Sequence, residues 1–447
     1  MKKTNILTNY FDAVVMLTWS NWHTELRSNR YHYASRFSRH LPVIFVQPDL
    51  VELSYYYETV ELNNFYILHL WCQYEQKQYD LLNQALAEKN ILQPLIWNYN
   101  SYFAEYLENK YFPLRIFHGT EDYFSIDSPM RITENIPLQM FKLTMERTDL
   151  LVSVSEGVNE SFYKNIGYKN DSIIITNGCD YHFYSKYVTI SKIKKNRKNK
   201  IVFYQGNIYS KLNYELLDKL AKEMSTWQFW FCGKIVFNEL GWQKLCENPN
   251  VKYLGLLKVE ELRKYFYRST VGIIPFVEQD WIIERSFPLK SFEYLAAGLP
   301  VVTVPIKALF PYSHVFHFAR TIDEFKEKIQ HAAKERYDKH ALDKRLRAAA
   351  VQDYDLKFDH LLQKIERRVD VILNNIKEAK HIDISKSLHN QSKLEQKLLQ
   401  VKDPYSWTIV RNPHAISNRS YSILTFIKQI IPNKWKQLIK SLINNFK

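Results

Sequence analysis

Cysteine and glycine are scarce in this chain. Cys72, Cys179, Cys232 and Cys246 form no Cys-x-x-Cys pair, which argues against a zinc site. A chain of 447 residues needs no disulfides to hold a core, so reduced thiols in a cytoplasmic protein are expected. Ten glycines and 15 prolines exclude a collagen-like or low-complexity chain. No apolar run reaches the ~18 residues of a membrane-spanning helix. The opening MKKTNILTNYFDAVVMLTW starts with charge, but its apolar part AVVMLTW is short, follows Asp12 and lacks a small-residue cleavage site. It reads as a first buried strand, not a secretion signal. Acids are missing from two stretches: SKIKKNRKNK (191–200), with six basic residues, and 421–447, with five lysines.

What is present is core material and positive charge. Hydrophobic residues make up 46% and aromatics 15%, and the net charge is +14. The charge favours anionic partners: phosphorylated small molecules, nucleic acid or an acidic membrane surface. Short β-branched and aromatic runs mark ten strands: 13–19, 43–48, 114–119, 150–155, 172–178, 200–206, 229–233, 251–255, 271–276 and 300–305. Several are apolar on both faces, as in a parallel sheet covered by helices. Helical patterns such as NYELLDKLAKEM (213–224) and KVEELRKYFYRS (258–269) lie between them. This βαβα rhythm predicts an α/β doubly wound fold. It runs twice, which divides the chain into a domain at 1–190, a basic linker at 191–200 and a second domain at 201–345. Helices at 346–376 close the fold, and 377–447 is a polar segment followed by a basic amphipathic helix. In that helix Ile423, Ile427, Ile430, Trp435, Leu438 and Leu442 fall at helical spacing among lysines, which suits the surface of an anionic membrane.

Four segments, in order, resemble the GT-B glycosyltransferases, most nearly the family 1/family 4-like group that builds bacterial surface polysaccharides. They are LLVSVSEGVNESFYKNIGYKNDSIIITNGCDYHFY (150–184), IVFYQGNIYSKLNYELL (201–217), NVKYLGLLKVEELRKYFYRSTVGIIPF (250–276) and PLKSFEYLAAGLPVV (288–302). The resemblance covers roughly 10–370. It implies two Rossmann-like domains facing a cleft, with acceptor on the first and nucleotide-sugar donor on the second. It also implies retention of anomeric configuration and no tightly bound cofactor or metal; no dense Asp/Glu/His cluster stands out in the sequence. Location in the cytoplasm, peripheral on the inner face of the cell membrane, is the matching expectation.

The helix within SFPLKSFEYLAAGLPVVTVP (286–305) carries the donor argument. Pro288 suits a helix start, Gly298 suits the position past its end, and Pro300 stops continuation. Leu289, Phe292, Leu295 and Ala296 form an apolar arc, and Glu293 lies beside Leu289, Ala296 and Ala297, off the solvated face. Lys290 sits in the first turn, where a cation opposes the helix dipole by about 0.3–1 kcal/mol unless an anion binds there. The resemblance places Glu293 on the ribose hydroxyls and Lys290 near phosphate, with Ser286 and Leu289 in the same donor segment. A second glutamate expected eight residues before Glu293 is instead Arg285. Either Glu284 replaces it or Arg285 contacts phosphate. The basic pair expected after the first donor-domain strand reads Gly206, Asn207 and Lys211, so Lys211 alone matches it, as the cation for the leaving diphosphate.

On the acceptor side the loop HGTEDYF places His118, Glu121 and Asp122 at a strand end, and His118 and Asp122 are catalytic candidates that could hold or deprotonate an acceptor hydroxyl. Ser20, Asn21 and Arg27 follow the first strand, and Ser155 and Glu156 follow another; all five are cleft candidates. Asn177-Gly178 reads as a turn. The function that follows is transfer of a sugar to a glycan or lipid-linked acceptor in cell-surface polysaccharide synthesis. A GT-B sugar-nucleotide epimerase is the alternative. A nucleic-acid-binding protein is not expected, because no such module appears and the basic residues gather in linker and tail.

Overall fold

The computed structural model describes residues 6–375, except 25–26, 109–111, 129, 133–135, 196 and 237–238. The polar segment and basic amphipathic helix expected at 377–447 lie outside the described residues. The first sheet contains β1 (Val14–Leu17), β2 (Val43–Leu50), β3 (Tyr55–Thr59), β4 (Phe65–Trp71), β5 (Leu95–Asn98), β6 (Leu114–Gly119), β7 (Leu150–Ser153) and β8 (Asp171–Ile174). Their order is β3-β4-β2-β1-β5-β6-β7-β8, and β3 alone is antiparallel to its neighbour. The second sheet contains β9 (Ile201–Gln205), β10 (Gln228–Cys232), β11 (Val251–Tyr253), β12 (Val271–Ile274), β13 (Val301–Thr303) and β14 (Phe316–Phe318). It is parallel throughout, in the order β11-β10-β9-β12-β13-β14.

The apolar runs form these strands because both faces are covered. In β1, Val14 and Met16 join one core cluster, and Val15 and Leu17 join another on the opposite face. All ten expected strands are present, with ends shifted by a residue or a few. The expected helices at 213–224 and 258–269 run Tyr214–Glu223 and Val259–Arg268.

The linker is only partly a polar hinge. Thr189 caps a short helix, Ile190–Lys194, and Ile193 is buried. The helical pattern after 345 is interrupted at 351–353, between helix Lys339–Ala350 and a long helix at 354–375. That long helix returns to the first domain: Tyr354, Phe358, Leu361, Ile365 and Val369 complete a core containing Tyr33, Phe37 and Trp97. The chain therefore crosses between domains twice, and the crossings bond to each other, Cys179 N to Gln352 O at 3.0 Å and Tyr354 N to Cys179 O at 3.1 Å. Gly178 permits this approach, since a Cβ there would lie 2.3 Å from Gln352 O. Asn177 is more than a turn residue: its buried amide donates to Phe287 O of the second domain at 2.6 Å.

Candidate functional site

The donor-side site forms where β9, β12 and one short helix meet at the carboxyl ends of the strands, the place where open α/β sheets bind ligands. The helix runs Lys290–Ala296. Its end is a Schellman turn: Leu299 N bonds Tyr294 O and Gly298 N bonds Leu295 O, both at 2.8 Å, with Gly298 at φ 72°. Two buried arginines finish that end. Arg336 Nη1 and Arg345 Nε donate to Gly298 O at 2.6 and 3.0 Å.

At the other end, Lys290 Nζ lies 4.9 Å from the centroid of Phe276 and 5.1 Å from that of Tyr204. Lys211 Nζ lies 4.7 Å from the same Phe276 ring. Neither ammonium makes an ion pair among the described residues. Burial, with Lys211 adding like charge, pushes the Lys290 ammonium down to about 7. The backbone gives way to Lys290 at Gly206, whose φ is 127° and where a Cβ would sit 2.9 Å from Lys290 Nζ. Asn207 beside it is exposed, with its carbonyl accepting from Tyr204 OH at 3.0 Å.

Glu293 is 6% exposed, as its place on the helix predicted. Oε1 accepts from Tyr184 OH at 3.2 Å and Oε2 from Gln205 Nε2. Burial pushes its carboxyl up to about 7. Each oxygen keeps a lone pair for a further donor. Lys290 and Glu293 thus form no exposed surface pair.

From the first domain, Glu121 is half-buried and near enough to Lys290 to raise its pKa. The structure therefore brings Gly206, Lys211, Lys290, Glu293 and Glu121 together. Tyr184, Gln205 and Phe276 join them and escaped the sequence reading. Gln205 left a signal, as the one amide in the apolar strand IVFYQ.

The other candidates go elsewhere. His118 is fully buried, with Nδ1 3.1 Å from Tyr99 OH and its ring against Trp97 and Tyr33. Burial, then Arg30, pushes it down to about 3, so it is a neutral packing residue with no route to an acceptor. Asp122 is corrected likewise. Its buried carboxylate accepts from Arg285 Nη1, from Ser161 Oγ at 2.9 Å and from Phe124 N at 3.1 Å. Arg285 also donates to Ser125 Oγ at 2.7 Å, so it fastens one domain to the other. Glu284 pairs with exposed Lys307 at 3.1 Å and does not replace the expected glutamate. Ser155 caps helix Glu156–Ile166 and donates to Arg285 O, and a Cβ at the following Gly157 would lie 2.3 Å from Glu284 O. Ser155 thus belongs to the domain seam, and Glu156, exposed at the head of that helix, lies beside it. Arg27 reaches Asp180 and Glu260, each at 3.2 Å, and covers Phe183, so its guanidinium is already paired. Asn21 Oδ1 accepts from His23 N at 2.9 Å in a local turn, and Ser20 Oγ is buried without a partner among the described residues. Ser286 Oγ donates to Ile282 O at 2.7 Å, and Leu289 packs against the first-domain core; both act in structure.

Two Rossmann-like sheets, a cleft between them and cations at the carboxyl edge of the second define the GT-B class, and residues 199–334 match the family model described as Glycosyl transferases group 1. The chain has the GT-B fold, and its second domain matches this family model. It is similar, at 27% identity over 162 residues, to the putative teichuronic acid biosynthesis glycosyltransferase TuaH of Bacillus subtilis. That match covers 35% of this chain and 41% of the relative's length. Sucrose-phosphate synthase from Thermosynechococcus elongatus has the same fold, with a TM-score of 0.62 and 12% identity over 79% of this chain and 99% of that one. Anabaena HepE, solved with UDP and glucose, gives 0.59 and 13% over the same shares. Among the described residues, no helix is long and apolar enough to cross a membrane.

Proposed function

We propose that this protein is a retaining glycosyltransferase that moves a sugar from a uridine diphosphate donor to a hydroxyl of a glycan or lipid-linked acceptor in cell-surface polysaccharide synthesis. The observation that carries this reading is the pair Lys211 and Lys290, two cations that form no ion pair among the described residues and share the Phe276 ring beside Gly206. Such a pair is poor structure and a good site for diphosphate. As the bond from the anomeric carbon to the β-phosphate oxygen breaks, its electron pair passes to the diphosphate. Both ammoniums then stabilise the transition state more than the ground state. The acceptor oxygen bonds the anomeric carbon, and its proton goes to the leaving phosphate oxygen. This route fits a cleft in which His118 and Asp122 are buried and committed. Glu121 orients the acceptor hydroxyl. UDP as the donor nucleotide follows HepE, and the surface-polysaccharide acceptor follows TuaH.

Calorimetric titration with UDP, GDP and ADP tests the reading. UDP is expected to bind, and Glu293→Gln to weaken it about tenfold, the cost of a charge-assisted hydrogen bond of about 1.5 kcal/mol. Absence of binding by all three nucleotides overturns it. Product NMR with a UDP-sugar reports the anomeric outcome, and inversion removes the retaining mechanism. We further propose peripheral attachment to the inner face of the cell membrane through 421–447. The full chain should sediment with phosphatidylglycerol vesicles and a 1–376 chain should not; equal sedimentation of the two removes the attachment.

A further inference from the structure

Far along the second sheet from the lysine pair, its edge strand β14 and the helix Ile322–Glu335 hold three side chains that the reaction does not use. His317 stands in the middle of β14, whose backbone is registered to β13 with His317 opposite Val302. His331 and Glu335 lie one turn apart on one face of the helix. His317 Nε2 is 3.0 Å from Glu335 Oε2, and His331 Nε2 is 3.1 Å from Glu335 Oε1. One ligand atom from each residue lies within 4.8 Å of both others. The sequence showed no such cluster, because His317 joins the other two only when the sheet edge folds against the helix.

We propose that His317, His331 and Glu335 form a binding site for a zinc ion. Two imidazole nitrogens and one carboxylate oxygen are a zinc donor set. Tetrahedral zinc, with bonds of about 2.0–2.2 Å, separates its ligand atoms by roughly 3.3 Å; His317 Nε2 and Glu335 Oε2 are already close to that spacing, while His331 faces the other carboxylate oxygen. His317 is mostly buried and held by the strand, while His331 is more than half exposed at the helix surface. Closing the site therefore needs movement of the His331 side chain and little else. Water on the exposed side completes the four ligands.

The ion would brace the donor helix from behind. Arg345 Nη2 donates to Glu335 O at 3.3 Å, and Arg336 is the next residue in the chain. These are the two arginines that hold Gly298 O at the end of helix Lys290–Ala296. Zinc that pins Glu335 to β14 thus fixes the anchor of both.

The test uses the full chain without a histidine tag, stripped with EDTA, dialysed and titrated with zinc chloride against a chromophoric chelator. The wild type is expected to bind one more equivalent than the His331→Ala/Glu335→Gln double variant. Each single variant should bind at least tenfold more weakly, and exposed His340→Ala should match the wild type. Zinc should raise the melting temperature of the wild type and leave that of the double variant unchanged. Equal zinc stoichiometry and affinity in the wild type and the double variant overturn the proposal. UDP titration of the stripped protein reports the donor site separately, so failure here leaves the glycosyltransferase reading standing.

Discussion

Lys290→Met is expected to lower kcat/KM by about 10²–10³, the usual cost of one group that stabilises developing charge, about 2.7–4 kcal/mol. Methionine keeps the apolar stem against Tyr204 and Phe276 and removes only the ammonium. Because burial already disfavours that charge, the variant should fold at least as stably as the parent. Lost turnover with retained stability separates a transition-state role from a structural one. An unchanged kcat/KM would falsify the assignment of Lys290 to the diphosphate.

The pH dependence follows from the same residue. Its folded pKa, about 7, lies below that of the unfolded chain. Above pH 7 the unfolded state therefore holds a proton that the native state lacks, and this group's effect is for stability to rise with pH across that window. Glu293 acts in the opposite sense. Its folded pKa is raised to about 7, so the native state holds the extra proton, and stability falls as pH rises from the ordinary carboxylate range to 7. The ligand-free protein is thus under most strain near neutrality, and an anion at Lys290 relieves it. Diphosphate binding should take up a proton above pH 7 and weaken as pH rises, by up to tenfold per unit. In Lys290→Met this slope should be absent. Titrations in buffers of different ionisation enthalpy measure the proton directly.

Arg285→Ala is expected to cost about 3–5 kcal/mol, the penalty for leaving a buried charge without its partner. The side chain of Asp122 is fully buried while Arg285 remains a quarter exposed, so the figure belongs to the stranded carboxylate and not to the arginine. Adding Asp122→Asn should recover much of the loss, and a double-mutant cycle in denaturant titrations gives the coupling. A single-variant loss under about 1 kcal/mol would place Asp122 within reach of water. The same variant tests whether Arg285 meets the donor. UDP and the UDP-sugar should lose affinity equally; a selective loss for the UDP-sugar would return Arg285 to the sugar position.

The fold was legible in most of the strands that are apolar on both faces. β3 escaped because it is a half-exposed edge strand of tyrosines and a glutamate, and β5 because four residues after Pro94 give too short a run. β14 is three residues long. β4, FYILHLW, carries the strand signal in full and still was not among the candidates. In the site, Lys290 and Glu293 were legible because a helical wheel fixes both relative to Phe292 and Leu295. The role of Arg285 was not, since Asp122 is 163 residues away and only the closed seam joins them. The burial of His118 depends on Trp97, Tyr33 and Tyr99, which come from two other elements and a loop. No local spacing encodes that enclosure.

The long helix at 354–375 fixes an order of events during synthesis. The second domain is continuous in sequence and can close as soon as it leaves the ribosome. The first domain has all eight of its strands by Ile174, yet the side chains that seal Phe37 and Trp97 begin at Tyr354. At about 5–20 residues per second, the apolar groove waits on the order of ten seconds or more for its cover. The domain made first is therefore finished last, and a chain cut short before residue 354 leaves that groove uncovered.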